Sequence, residues 1–443
     1  MIPIANENAA FADDEPREGV YWQSHGKPDA LPPLTGDTEA FAVVVGGGVA
    51  GLSAAQWLRE NTREEVVLLE GRQCGGGASG KSSGFITPDG ELELEQLLRR
   101  FGAEDASLLW RGGQSGAAQI RDNIDRLAIA CDRVEADSLF VANSSNALAA
   151  IRDEHEAHQR LGFDSRLYLH DELPEILGSP GYVGGVRCRG SFAIDAFAYV
   201  QGLKRALAAA GVRIHENSPV TAIEGARAST ARGSVRAKHI FVCVDRFAPA
   251  LGVARRASYH AQTFIVLSEP LDPHLLARLF PAGPLLVWDS DLIYQYFRVT
   301  GDHRLLVGGG SLRNTYARQT THGLNHAVRK LLRYARQKFP CLAGVKFTHF
   351  WPGLIGISPD LLPLAGPAAN APGVHAALNG AGLAWSTLAG RVAARRAIEG
   401  PTEFDRFLSP ARAQSRVTAL QPLLRKPATF ALANYHAKYR QRG

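Results

Sequence analysis

The chain has 443 residues, 45% hydrophobic and 21% charged, the balance of a soluble globular protein of about two or three domains. Its formal net charge of +6 is spread along the sequence, which argues against nucleic acid as the main partner and suits an anionic cofactor. Five isolated cysteines, Cys74, Cys131, Cys188, Cys243 and Cys341, show no C-x-x-C pair, so buried thiols in a reducing cytoplasm are expected rather than disulfides or a metal site. No run of about 18 uncharged apolar residues is present to span a membrane.

Residues 1–40 read as an extended arm. The run Phe41-Ala-Val-Val-Val then enters a glycine turn, with Gly46, Gly48 and Gly51 in the three places of G-x-G-x-x-G and Val49 and Ala50 opening a helix. A second apolar run, Val66 to Leu69, ends in Glu70, nineteen residues beyond Gly51. Strand, glycines, helix, strand and acid in this order point to a bound dinucleotide, its phosphates at the helix N-terminus. The glycine-serine run Gly75 to Gly84 follows, where the cofactor would pass.

Apolar residues recur at helical spacing from Glu91 to about Ala130, and helices are expected over 143–162 and from Asp195 to Ala210. Val212 to Ile214, Val220 to Ile223 and Val235 to Val244 read as strands. Thr263 to Leu267, Leu285 to Trp288, Leu292 to Arg298 and Arg304 to Gly308 read as a separate antiparallel sheet, followed by a helix from Leu324 to Phe339. A strand from Val374 to Leu378 leads through Asn379-Gly-Ala-Gly into a helix ending at Ile398. The expected fold is α/β: a Rossmann-like dinucleotide domain from residues 41–90, 180–255 and 345–400, a substrate domain from 91–179 and 256–344, and a tail from 401. Alternation along Tyr294-Gln-Tyr-Phe-Arg298 puts Tyr294, Tyr296 and Arg298 on one face. There Arg298 either clamps a substrate carboxylate through its planar fork or makes a structural ion pair.

These motifs resemble the flavin-dependent amine and amino-acid oxidases of the D-amino-acid-oxidase-like superfamily, γ-glutamylputrescine oxidase-type proteins above all. The resemblance runs from Tyr21-Trp22 to about Gly400. Its marks are Gly46 to Ser53 (GGGVAGLS), Gly77 to Gly80 (GASG), Tyr296-Phe297-Arg298, Arg304 to Gly309 (RLLVGG), Ser358-Pro359-Asp360, Gly380-Ala381-Gly382 and Leu388 to Arg391. It implies FAD, with Glu70 on the adenosine ribose, Gly71 and Arg72 beside it, and Val220 on the adenine. Gly77, Ala78, Ser79, Lys81, Ser82 and Ser83 are implied to run along the pyrophosphate to the isoalloxazine. Gly353, Gly380, Ala381, Gly382 and Leu383 are implied at the flavin ring.

The chain has Ala381 where that family often has histidine. Gly353 stands near the place of the cysteine that binds flavin covalently in the sarcosine-oxidase branch, and no cysteine follows Cys341. Non-covalent FAD is therefore expected. The implied activity is oxidation of an amine or amino acid to an imine by hydride transfer to flavin N5, with oxygen or another acceptor taking the electrons. Tyr296, Arg298 and Lys81 are the candidates for the reacting end. A flavin monooxygenase and a non-catalytic FAD-binding subunit are the alternatives; a nicotinamide site would need a second strand-and-helix G-x-G-x-x-G unit, and the other glycines at that spacing, Gly75, Gly77 and Gly80, fall in the glycine-serine run instead.

Overall fold

The computed structural model describes residues 16–24, 29–255, 257–310, 324–369, 371–412 and 416–439. Much of the expected arm, residues 1–15 and 25–28, lies outside them.

Val43, Val44 and Val45 are β-branched and buried on both sides, as a central parallel strand requires. Their strand, Thr38–Val45, pairs in parallel with Val66–Leu69 on one edge and Gly233–Val242 on the other. Arg213–His215 extends the sheet beyond Val66–Leu69. The long strand Gly233–Val242 serves two neighbours in turn: its first half pairs with the hairpin strand Arg227–Thr230, its end with Val374–Leu378. Helix Val49–Asn61 leaves the glycine turn and packs along helix Leu383–Ile398. The two backbones touch at Gly390, where a Cβ would lie 2.1 Å from the Ala50 carbonyl oxygen. The elements that follow the first strand of this sheet and its strand Val374–Leu378 are thereby locked together.

The second sheet has nine strands. In spatial order they are Arg17–Glu18, Phe347–Ile357, Tyr259–Pro270, Arg304–Gly309, Tyr296–Val299, Leu285–Asp289, Asp137–Ala142, Gly184–Cys188 and Arg166–Leu169. Phe264, Val266, Phe297 and Val307 turn to one face, where Leu331, Leu332 and Ala335 of helix Leu324–Lys338 cover them. Thr263, Ile265 and Tyr296 turn to the opposite face, towards the ends of the parallel strands.

Three features differ from the sequence reading. Gly184–Cys188 and Phe347–Ile357 belong to the nine-stranded sheet, although 180–255 and 345–400 were expected in the dinucleotide domain. Both pair over their length with strands of that sheet, and pairing of this kind is non-local. Leu292 to Gln295 is not strand but a loop closed by Asp289, whose carboxylate accepts the N–H groups of Asp291 and Gln295. The expected tail holds helices Asp405–Leu408 and Gln421–Tyr439. The longer one packs inward, with Phe430 stacked on Tyr259 at 5.1 Å. Among the described residues no helix is long and apolar enough to cross a membrane.

Candidate cofactor and substrate cavity

The carboxyl ends of the parallel strands are where an α/β sheet opens to a ligand. Here Val45, Leu69 and Leu378 end their strands, and Cys243 follows the end of another, at a cavity of about 890 Å³ that continues to the face of the nine-stranded sheet. At Gly46 the backbone takes φ +112°, and a Cβ would lie 2.5 Å from the Cys243 carbonyl oxygen. At Gly48 a Cβ would come within 3.0 Å of the Ser79 hydroxyl. That hydroxyl accepts the Val49 N–H at 3.0 Å, so loop and helix N-terminus are tied together. A narrow cradle of backbone donors at a helix N-terminus is the geometry a pyrophosphate needs.

Glu70 closes this cradle. Its carboxylate accepts the Gly47 N–H at 2.7 Å and the Arg72 N–H at 2.9 Å. Burial pushes its pKa up, against the pull of these hydrogen bonds. The residues present therefore fit the FAD implied by resemblance: a cradle only glycine leaves open, and an acid that suits a ribose with no 2′-phosphate. Glu70→Arg should weaken FAD binding by about 1–3 kcal/mol, the cost of a lost buried bond to a charged group, while the fold survives. Flavin occupancy after dialysis measures it; full occupancy would remove Glu70 from the site.

Of the residues expected to hold the cofactor, all but Val49 and Gly51 line this cavity, as do Tyr296 and Lys81. Burial pushes the Tyr296 phenol up to about 12, so it stands as a neutral donor. Burial lowers the pKa of Lys81, helped by Arg246 and Arg72 nearby. At the far side Asn379, Ala381 and Gly382 have positive φ (58°, 39° and 113°) and lead the chain into helix Leu383–Ile398. Asp245 holds this turn by accepting the Asn379 N–H and, across the site, the Gly356 N–H. Among the described residues lining the cavity no histidine occurs, and Cys243 sits at the strand end with the glycine turn.

Arg298 is the correction. It shares a face with Tyr296 as alternation requires, but it is buried and does not line the cavity. Its Nε donates to the Ser83 carbonyl at 2.6 Å, Nη2 to that of Ile194 at 2.9 Å, and Nη1 to that of Val299 at 3.1 Å. Its fork is spent on backbone oxygens, so it cannot clamp a substrate carboxylate. Two tryptophans act beside it: Trp351 donates to the Lys81 carbonyl and Trp22 to that of Ser82, both at 3.0 Å. Three consecutive carbonyls of the glycine-serine loop are thus each held by a different element.

The end of the cavity opposite the glycine turn is acidic and aromatic, and its acids were not expected from the sequence. Glu93 accepts the Trp288 indole N–H at 2.8 Å, and Glu91 the Tyr294 hydroxyl at 3.2 Å. Asp89 lines the same wall. Asn434 and Lys438 reach in from helix Gln421–Tyr439, Lys438 lying 5.3 Å from the Tyr294 ring centre. The available signal was three acids at alternate positions, 89, 91 and 93, directly after the glycine-serine loop.

Comparison with known proteins gives the chain its family. Residues 42–396 match the family described as FAD dependent oxidoreductase (DAO). The chain is 30% identical over 374 residues to γ-glutamylputrescine oxidoreductase of Escherichia coli, covering 82% of this chain and 85% of that one. It is 29% identical over 406 residues to the probable oxidoreductase OrdL of Haemophilus influenzae, covering 89% and 90%. Glycine oxidase from Geobacillus kaustophilus shares the fold, with a TM-score of 0.71 at 22% identity over 85% of this chain and 100% of that one.

Proposed function

The chain belongs to the DAO family of FAD-dependent oxidoreductases, and from that premise we propose that it oxidises a cationic amine to an imine that water then hydrolyses. Bound FAD, held without a covalent link, supplies the two-electron acceptor for the hydride, and oxygen or another acceptor later takes the electrons. The remaining work falls to the protein. The glycine cradle and Glu70 orient the cofactor, and the Lys81 to Ser83 backbone is pinned beside it. The rings of Trp288, Tyr294 and Tyr296 wall the reacting end and exclude water.

The observation that carries the substrate class is the acid wall. Asp89, Glu91 and Glu93 face the cavity together, while Arg298 is withdrawn from it. Carboxylates beside aromatic faces attract an ammonium group. A carboxylate on the substrate gains no partner from Arg298, so the preference favours amines over α-amino acids. The name of the E. coli relative, which points to an amine, supports the same choice.

Product analysis tests the reading. Incubation with a panel of primary amines, diamines and α-amino acids should yield a carbonyl compound and released amine or ammonia in equal amounts. Diamines should turn over fastest. Turnover restricted to α-amino acids would refute the cationic substrate class, and dependence on NADPH would favour a monooxygenase.

A further inference from the structure

Three carboxylates, Asp89, Glu91 and Glu93, line the acidic end of the cavity and a fourth, Glu154, stands behind them; three of the four are committed to other elements. Glu93 caps helix Leu94–Phe101, accepting a backbone N–H from its first turn, and also takes the Trp288 indole. Glu91 takes the Tyr294 hydroxyl. Glu154 accepts the N–H groups of Leu94 and Glu95 and meets His158 at 3.1 Å. Asp89 differs: among the described residues its carboxylate takes no hydrogen bond from another element, and Thr87, two residues before it, is the side chain that favours its charge. It lies in the wall between the main cavity and a small internal void that Glu154, His158 and Cys188 also line.

An amine gives up hydride only when its nitrogen lone pair is free, so an ammonium substrate must first lose a proton. We propose that Asp89 is the base that takes this proton, a role that rests on the amine-oxidation reading. In the step the N–H bond breaks, its electron pair stays on nitrogen, and an O–H bond forms on the Asp89 carboxylate. The neutral amine is then the form that could give hydride to the two-electron acceptor that bound FAD would supply, and Asp89 returns its proton to water.

The surroundings suit a base working near neutrality. Burial is the main cause raising the Asp89 pKa to about 7; the Thr87 hydrogen bond opposes it, and the charges of Glu154 and Glu91 add to it. The ionisable groups facing this corner are Glu91 and Glu93 from its own loop, Glu154 and His158 from helix Leu148–Leu161, Cys188 from its strand, Tyr294, and Lys438 from the last helix. The base acts when deprotonated, so flavin reduction should rise with pH through about 7 and then level off.

The test is the pH profile of anaerobic flavin reduction by a simple primary amine, for the holoenzyme and three variants. In Asp89→Asn the rising limb should move towards the ordinary alkylamine range, about 10, with rapid reduction kept at high pH. Asp89→Glu should restore a limb near neutrality. Thr87→Val, which keeps the carboxylate but removes a bond that favours its charge, should move the limb upward by a smaller step. A second readout needs no turnover. Calorimetry of tert-butylammonium binding, in buffers of different ionisation heat, should show proton release below about pH 7 in the wild type and none in Asp89→Asn. An unmoved limb in Asp89→Asn and Thr87→Val, with unchanged proton release, would overturn the assignment of Asp89 alone. Failure of every amine to reduce the wild-type flavin would instead sink the amine reading itself.

Discussion

Replacing Arg298 with methionine should destabilise the protein by about 4 kcal/mol and strip flavin from it, without discriminating between substrates. The guanidinium is buried, and burial is the main cause lowering its pKa, to about 10, so it stays protonated at neutral pH. Methionine fills much of its volume but leaves the carbonyls of Ser83, Ile194 and Val299 without their donor. Each orphaned buried acceptor costs about 1–3 kcal/mol, partly relieved by relaxation. Ser83 lines the cavity, so a loosened loop also loses its grip on the cofactor. Thermal unfolding and flavin content should fall together, and any residual activity should fall equally for amines with and without a carboxylate. A normal melting temperature with KM raised only for carboxylated amines would return Arg298 to the substrate.

Gly48→Asp should give folded protein with almost no flavin. Gly48 faces the Ser79 hydroxyl and precedes the first turn of helix Val49–Asn61. An aspartate here displaces the serine and puts a negative charge where the phosphates would lie. A unit charge about 4 Å from a phosphate oxygen costs about 4 kcal/mol at an effective dielectric constant near 20, close to three orders of magnitude in affinity. The helix itself tolerates the change, since an acid suits its N-terminus. Purified Gly48→Asp should therefore be colourless with a wild-type circular dichroism spectrum. Yellow protein at full occupancy would place the pyrophosphate elsewhere.

The parts of this molecule legible from sequence are those whose physics is local. Strand, spaced glycines, helix, strand and acid in that order point to a dinucleotide, and Gly46, Gly48 and Glu70 line the cavity. The strand Val374–Leu378 and the end of its helix at Ile398 match expectation because Asn379 to Gly382 punctuate them. Arg298 shows where local rules stop. Alternation identified its face correctly, but a face is longer than a cavity, and only the tertiary fold decides that Tyr296 meets the cavity while Arg298 meets Ser83. Asp89, Glu91 and Glu93 escaped notice because Asp-Gly-Glu reads as a solvated turn until Trp288, Tyr294 and the last helix close over it. That helix, Gln421–Tyr439, was itself obscured by Pro422 and Pro427. Pro422 falls in the first turn, where proline is tolerated; Pro427 lies inside, at a cost that tertiary packing must offset.

The central claim, that the acidic end of the cavity presents a cationic amine to FAD, is tested most directly by anaerobic mixing of the holoprotein with diamines, monoamines and α-amino acids. Rapid bleaching of the yellow flavin by amines is expected, fastest with diamines, with slow or no bleaching by α-amino acids. Bleaching by α-amino acids alone, or by NADPH and no amine, would contradict it.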